Sequence, residues 1–428
     1  MAINNLEEKL KKIVDYTYKN VKFYRAKMDL IGLNPSDIKS IEDFKKLPFM
    51  EKKDFRENNL DEVFAVPMEK VVRVFTSSGT SGQSTIVGLT QHDYERQKVL
   101  TEKLTRLGGV GEDDVVQVLY SLGLFSAGLG VVGGLENIGA AMIPTGAGNT
   151  DKQIEYMKRL KTSVLMGTPS YIGYIGENIN KEDLKNKLIK IKSILVGGEG
   201  ISEEYRNYLK KVWNVKNVVQ NYGFSEAGGT GFSGECIYEN GLHLTDDFYP
   251  EIIDGDNNNL PFGKSGELVI TTLDRECMPL IRYKTHDITY LTYEKCPCGE
   301  EGFKLHTIEG RTDDMLKVKG ICFYPSFIES IILDSNITTP FYEIVIERDK
   351  NIDKININIE LIDKLEIFDV NHLKEEKQKI ETKLKKDVGI FMNINFVNPK
   401  TLQRTSGKSK KVKDLRLKWG VIDGYYKY

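Results

Sequence analysis

Cysteine is scarce, with five residues in a chain of 428. So few thiols in so long a chain do not make a disulfide framework. Net charge is also nearly absent, at −2 near neutral pH. A chain so balanced has no general attraction for nucleic acid or acidic membranes. No uninterrupted apolar run approaches the ~18 residues of a membrane-spanning helix. Residues 1–20 are rich in Glu and Lys and lack the apolar stretch of a signal peptide. No internal repeat and no low-complexity segment is visible. The expectation is a cytoplasmic protein with no nucleic-acid or membrane partner.

What the chain does have is apolar residues in number and in order. They make up 40% of the sequence, enough for a substantial core. The length predicts two or three domains at ~150 residues each. Leu6, Leu10, Ile13 and Val14 recur at helical spacing. From residue 71 to 200, β-rich apolar runs alternate with amphipathic helical stretches. The runs are Val115–Tyr120, Ala140–Pro144, Ser163–Met166 and Ser193–Val196. The helical stretches lie near His92–Leu107, Gly128–Ile138, Asp151–Leu160 and Tyr171–Asn178. That alternation predicts an α/β architecture with parallel sheets. Residues 241–320 change to short strands and turns, as in an antiparallel or barrel-like unit. A smaller α+β segment follows Gly310. The basic stretch Lys400–Lys418 is expected to end it as a loop and short helix.

One segment concentrates hydroxyls and glycines. Thr76, Ser77, Ser78, Gly79, Thr80, Ser81 and Gly82 are consecutive, between the apolar runs Val71–Val74 and Ile86–Val87. Glycine lets a backbone turn sharply and approach a ligand. Successive N–H groups and hydroxyls then converge on an anion such as phosphate. A flexible linker has similar composition. The P-loop pattern is absent, because no Gly-Lys-Ser/Thr opens a helix here.

Further motifs follow in order: Gly198-Glu199-Gly200, Tyr222-Gly223-Phe224-Ser225-Glu226, Arg282-Tyr283-Lys284-Thr285-His286-Asp287, Gly310-Arg311-Thr312-Asp313-Asp314 and Gly407-Lys408. With Phe23-Tyr24-Arg25, Leu47-Pro48-Phe49, Thr168-Pro169-Ser170-Tyr171 and Phe248-Tyr249-Pro250, the set resembles the acyl-adenylate-forming enzymes over nearly the whole chain. The resemblance is to their phenylacetate–CoA ligase branch. It implies a carboxylic acid attacking the α-phosphate of Mg-ATP to give acyl-AMP and pyrophosphate. A thiol, usually that of coenzyme A, then displaces AMP. It implies a large adenylating domain, α/β sheets plus a small barrel-like unit, over residues 1–312. A small mobile α+β C-terminal domain over 313–428 would follow the hinge Asp313. A homodimer is also implied.

The same resemblance assigns roles. Ser77, Ser78, Gly79, Thr80, Ser81 and Gly82 would hold the β- and γ-phosphates. Gln83 and Ser84 stand where the family commonly has Lys and Pro. Tyr222, with Gly223, would stack on adenine, whose edge Gly198 and Glu199 would meet. Ser225 would hold the α-phosphate and Glu226 would bind Mg²⁺, a cation content with one or two carboxylates plus phosphate oxygens. Asp287 would accept the ribose hydroxyls, and Arg311 would contact ribose or phosphate. Lys408 would be the adenylation lysine, a cation placed where charge shifts during transfer. Lys317 and Gly320 would approach the pantetheine arm. No role falls to His286. Tyr120, Leu124, Phe125 and Val132 would line the acid pocket. Val132 and Gly133 replace a frequent His-Tyr pair, and the missing ring at Gly133 is expected to leave room or change polarity there. Phe125 read by itself is equally a core residue.

Cys236, His243, Cys296 and Cys298 form a Cys-x6-His and Cys-x-Cys arrangement. Three thiolates and an imidazole suit structural zinc. Buried reduced cysteines beside a strand histidine are the alternative. Cys277 and Cys322 have no partner pattern and read as packing residues. The acceptor thiol stays open between CoA and the phosphopantetheine of an acyl carrier protein. An adenylyltransferase acting on a cofactor acid, and a non-catalytic nucleotide-binding protein, are the other readings.

Overall fold

The computed structural model describes residues 3–77, 84–312, 316–319, 321–349, 352–363, 369–403 and 411–416. Contacts divide the chain into two compact units, 1–199 with 209–308, and 200–208 with 309–428.

The first unit is built on a nine-stranded sheet. Its parallel half runs Asn217–Tyr222, Ser193–Val196, Val164–Gly167, Val115–Val118, Ala141–Ile143 in spatial order. The inner strands Val164–Gly167 and Ser193–Val196 are buried at every position, as expected of parallel strands covered on both faces. Helices Gln91–Leu107, Ser126–Ile138 and Pro169–Asn178 lie near the stretches the sequence marks. Beyond Asn217–Tyr222 the sheet turns antiparallel, through Ser233–Glu235, Leu242–Leu244, Glu301–Leu305 and Leu291–Lys295. A second antiparallel sheet joins Phe248–Ile253, Gly266–Thr272 and Tyr283–Thr289. The expected α/β class and the antiparallel unit are both present.

Helices Ile3–Asn20 and Lys22–Leu30 open this unit. Tyr24, Phe44, Met50 and Phe55 pack in one core with Tyr249 and Tyr283. The stretch after Phe44 is stitched to the second sheet. Met50 accepts from the Lys284 N–H at 2.9 Å and donates to the Arg282 carbonyl at 3.2 Å. The Arg282 guanidinium donates to the Leu47 carbonyl at 2.9 Å and to the Lys45 carbonyl. It is anchored by Glu251 through two bonds of 3.0 and 3.1 Å. This stitching fixes the start of helix Lys52–Glu57.

The second unit has a sheet in the order Asn393–Val397, Ile352–Leu361, Thr338–Asp349, Val412–Asp414. Helices Pro325–Leu333 and Val370–Val388 accompany it. Ile344, Ile346, Ile355, Ile357 and Ile359 alternate into its core. The strand Val412–Asp414 corrects the expected loop and short helix. It pairs parallel with Ile344–Ile346, and ladder bonds override the weak strand propensity of Lys and Asp there.

Candidate active site

The candidate residues of the first unit gather at the carboxyl ends of parallel strands, where open α/β sheets bind ligands. Val115–Val118 leads to Tyr120, Ser193–Val196 to Gly198 and Glu199, and Asn217–Tyr222 ends on Tyr222 itself. Register places these ends side by side, with Gly167 opposite Val196 and Val196 opposite Gln220.

The Tyr222 hydroxyl donates to Asp287 at 2.6 Å. Asp287 is aimed by a bulge. His286 takes a left-handed φ of 66°, uncommon for a residue with a Cβ. The facing strand shifts register between Glu267 and Val269. His286, given no role by the sequence, is thus the residue on which this strand bends, and its Nδ1 lies 3.1 Å from Glu267. The Tyr222 ring packs against Phe224 and Phe232.

After Tyr222 the chain folds back on itself. A Cβ on Gly223 would collide with the Gly229 carbonyl, so only glycine fits. Ser225 opens a single 3₁₀ turn, Ser225–Ala227, closed by the Gly228 N–H on the Ser225 carbonyl at 2.8 Å. That turn carries Glu226 inward to 3% exposure. Its Oε1 has no hydrogen-bond partner. Its ion-pair partner is the Lys52 ammonium at 3.7 Å. A buried carboxylate oxygen without a donor is suited to a hard cation. Sequence reading missed Lys52, since nothing in its local pattern points across the fold.

Ser77 is buried and bonded to Thr85 both ways, N–H to carbonyl and N–H to Oγ, each at 2.9 Å. It anchors the start of the hydroxyl-rich loop. Ser78, Gly79, Thr80, Ser81, Gly82 and Gln83 lie outside the described residues. Gly198 has φ 81°, and Glu199 accepts from the Ser170 N–H and hydroxyl at 3.2 and 3.0 Å.

Tyr120 is buried, and burial raises its phenol above the ordinary range, aided by the Glu199 charge. Its hydroxyl lies beside Gly197. Phe125 is 48% exposed and caps helix Ser126–Ile138 from outside, so it is not a core residue. Val132 is half-buried, one turn along from Gly128, which packs on the Ser121 carbonyl. Gly133 sits on the same helix. A Cβ there would meet the Lys98 stem at 2.7 Å, so the glycine lets this helix pack closely on Gln91–Leu107.

In the second unit, Arg311 lies in the strand Gly310–Arg311. Lys317 lies in Leu316–Val318, paired with Ile321–Phe323. Asp313, Gly320 and Lys408 lie outside the described residues.

The cysteines converge. One ligand atom from each of Cys236, His243, Cys296 and Cys298 lies within 4.8 Å of all the others. The Cys236 and Cys296 sulfurs are 3.7 Å apart, and Cys298 Sγ is 3.5 Å from His243 Nε2. A tetrahedron with metal–sulfur bonds of ~2.3 Å has edges of ~3.8 Å, so the donor set fits zinc. Burial pushes the His243 imidazole down to about 4, which keeps it neutral. Cys277 is buried away from this group, and burial pushes its thiol up to about 12.

Comparison with known proteins shows the family. Residues 26–273 match the family described as AMP-binding enzyme, and residues 320–416 match the AMP-binding enzyme C-terminal domain. The phenylacetate-coenzyme A ligase of Thermus thermophilus is 35% identical over 96% of both chains. That of Escherichia coli is 32% identical over 96% of this chain and 94% of its own. Among solved structures, a 2-hydroxyisobutyryl-CoA ligase with R3-HIB-AMP aligns with a TM-score of 0.88. It covers 96% of this chain and 89% of its own at 24% identity, a likeness of fold. No helix among the described residues is long and apolar enough to cross a membrane.

Proposed function

This chain belongs to the AMP-binding enzyme family and is an AMP-forming acid–CoA ligase, and we propose that its acid is an aryl or related carboxylic acid. The observation that carries the reading is Glu226, buried a few residues beyond Tyr222 at the strand ends with an oxygen that accepts no hydrogen bond among the described residues. Tyr222 stacks on adenine, Asp287 takes the ribose hydroxyls, and Gly198 and Glu199 border the base. Ser225 donates to the α-phosphate. The loop from Ser77 to Gly82 holds the outer phosphates through hydroxyls and backbone N–H groups. Mg²⁺ bound at Glu226 supplies charge neutralisation on the phosphates. Lys408 stabilises charge as the acid attacks, and Arg311 contacts ribose or phosphate. Lys317 and Gly320 meet the pantetheine arm after movement about Asp313. Tyr120, Phe125 and Val132 border the acid.

Zinc at Cys236, His243, Cys296 and Cys298 is structural in this proposal. Four protein ligands leave no open position for chemistry. A homodimer in the cytoplasm is the proposed working form, and sedimentation of the purified protein tests the dimer.

The test is acid-dependent pyrophosphate release from a panel of aryl and aliphatic acids. Each acid is assayed without acceptor, with CoA, and with a holo carrier protein. The expected result is release with aryl acids and a CoA thioester identified by mass. Release with no acid, or thioester on the carrier alone, would overturn the proposal.

A further inference from the structure

The loop proposed to hold the outer phosphates contains no cation. From Val74 to Gln91 there is neither Lys nor Arg. Hydroxyls and backbone N–H groups bind phosphate, but they do not neutralise it. A triphosphate carries several charges at neutral pH, and charge-assisted bonds are the strong ones. Mg²⁺ at Glu226 would neutralise part of that charge, and a cation beside the same carboxylate would add to that neutralisation.

Lys52 is placed to do so. It is the first residue of helix Lys52–Glu57, and the segment before it is tied down by Arg282 and Lys284. Its ammonium lies 3.7 Å from Glu226 Oε1, beyond hydrogen-bond length. No other ion pair or hydrogen bond of the Lys52 side chain is found among the described residues. Its side chain is 28% exposed while that of Glu226 is 4% exposed, so the lysine lies nearer to solvent than the carboxylate it faces. A buried carboxylate without any cation is costly, so Lys52 compensates Glu226 in the ligand-free protein. A divalent cation on the same carboxylate removes that need, and the lysine is left with its charge beside the incoming phosphates.

We propose that Lys52 is a phosphate-binding residue: it balances Glu226 when the site is empty and binds the β- or γ-phosphate of the nucleoside triphosphate when the site is filled. The proposal rests on the ATP-dependent reading above. Lysine suits such a role, since its flexible stem carries a compact charge between two positions.

The test compares ATP with AMP, which lacks the β- and γ-phosphates. Wild type, Lys52→Met and Lys52→Arg are titrated calorimetrically with each nucleotide in the presence of Mg²⁺. Lys52→Met is expected to weaken ATP by roughly 10- to 100-fold, the range for a hydrogen bond to a charged group. AMP binding stays within about twofold of wild type, which also shows that the variant is folded. Lys52→Arg recovers most of the ATP affinity. Equal losses for ATP and AMP would reduce Lys52 to a structural partner of Glu226 and overturn the proposal. Unchanged ATP affinity in Lys52→Met would overturn it too. A wild-type protein that binds neither nucleotide would instead overturn the ligase reading itself.

Discussion

The Tyr222 hydroxyl donates to the Asp287 carboxylate at 2.6 Å, joining the end of a parallel strand to the bulge of the second sheet. One bond therefore aligns the two side chains proposed to meet adenine and ribose. Tyr222→Phe keeps the ring and removes the donor. ATP affinity is expected to fall roughly 2- to 10-fold, the worth of one hydrogen bond. Asp287→Asn removes the charge and with it the preference for ATP over 2′,3′-dideoxy-ATP. Calorimetric titration with both nucleotides checks this, and an unchanged preference would contradict the ribose contact.

Lys408→Ala is expected to slow adenylation by on the order of 10²–10³, the usual worth of a group stabilising transition-state charge. Thioester formation from synthetic acyl-AMP is spared. Pyrophosphate exchange equal to wild type would refute this assignment.

Stoichiometric zinc is expected in protein purified without chelator, by elemental analysis. Cys296→Ser loses the metal and lowers the melting temperature. Metal-free wild type with an unchanged melting temperature would contradict a structural site.

The Arg282–Glu251 pair is almost fully buried, with side chains 4% and 1% exposed. Glu251→Ala leaves the guanidinium buried without its carboxylate. The expected loss is ~3–5 kcal/mol in urea denaturation, typical of a broken buried pair. A loss under ~1 kcal/mol, the worth of an exposed pair, would contradict the bidentate geometry.

Stability should carry a small pH signature from His92. Its Nε2 lies 2.8 Å from Asp274 Oδ1, and that hydrogen bond raises its pKa above the ordinary 6.5. The folded state therefore prefers the protonated ring. The contribution is complete below pH 6.5 and is lost as pH rises through the raised value. The pair is largely exposed, so the effect is at most ~0.5 kcal/mol. His92→Gln should flatten this part of the profile in thermal melts from pH 6 to 9.

Much of this was legible in the sequence because it is local or compositional. Continuous apolar β-branched runs mark strands buried on both faces, as at Ser193–Val196. Four thiol and imidazole side chains announced a donor set before the fold brought them within 4.8 Å. The rest depends on direction and on distant contact. Val132 and Gly133 are neighbours, yet successive helical positions point about 100° apart, and Gly133 packs on Lys98. Lys52 has no unusual local pattern. Its meaning comes from Glu226, far along the chain and brought near by tertiary contacts such as the Arg282 stitching. Val412–Asp414 reads as a polar tail because its strand character is supplied by the ladder it joins.

The strand Asn217–Tyr222 is parallel to one neighbour and antiparallel to the other, and this has a consequence for the order of assembly. Its antiparallel partner Ser233–Glu235 follows it closely in the chain and closes a small loop at little entropic cost. Each parallel partner needs a helical crossover before it can pair. Local contacts form sooner, so the hairpin side is ready first and offers an open edge to the parallel side. During synthesis, however, the strands from Val115 to Val196 leave the ribosome before that edge exists. They can pair with one another as they emerge, and the outer edge of Ser193–Val196 stays open until Asn217–Tyr222 follows.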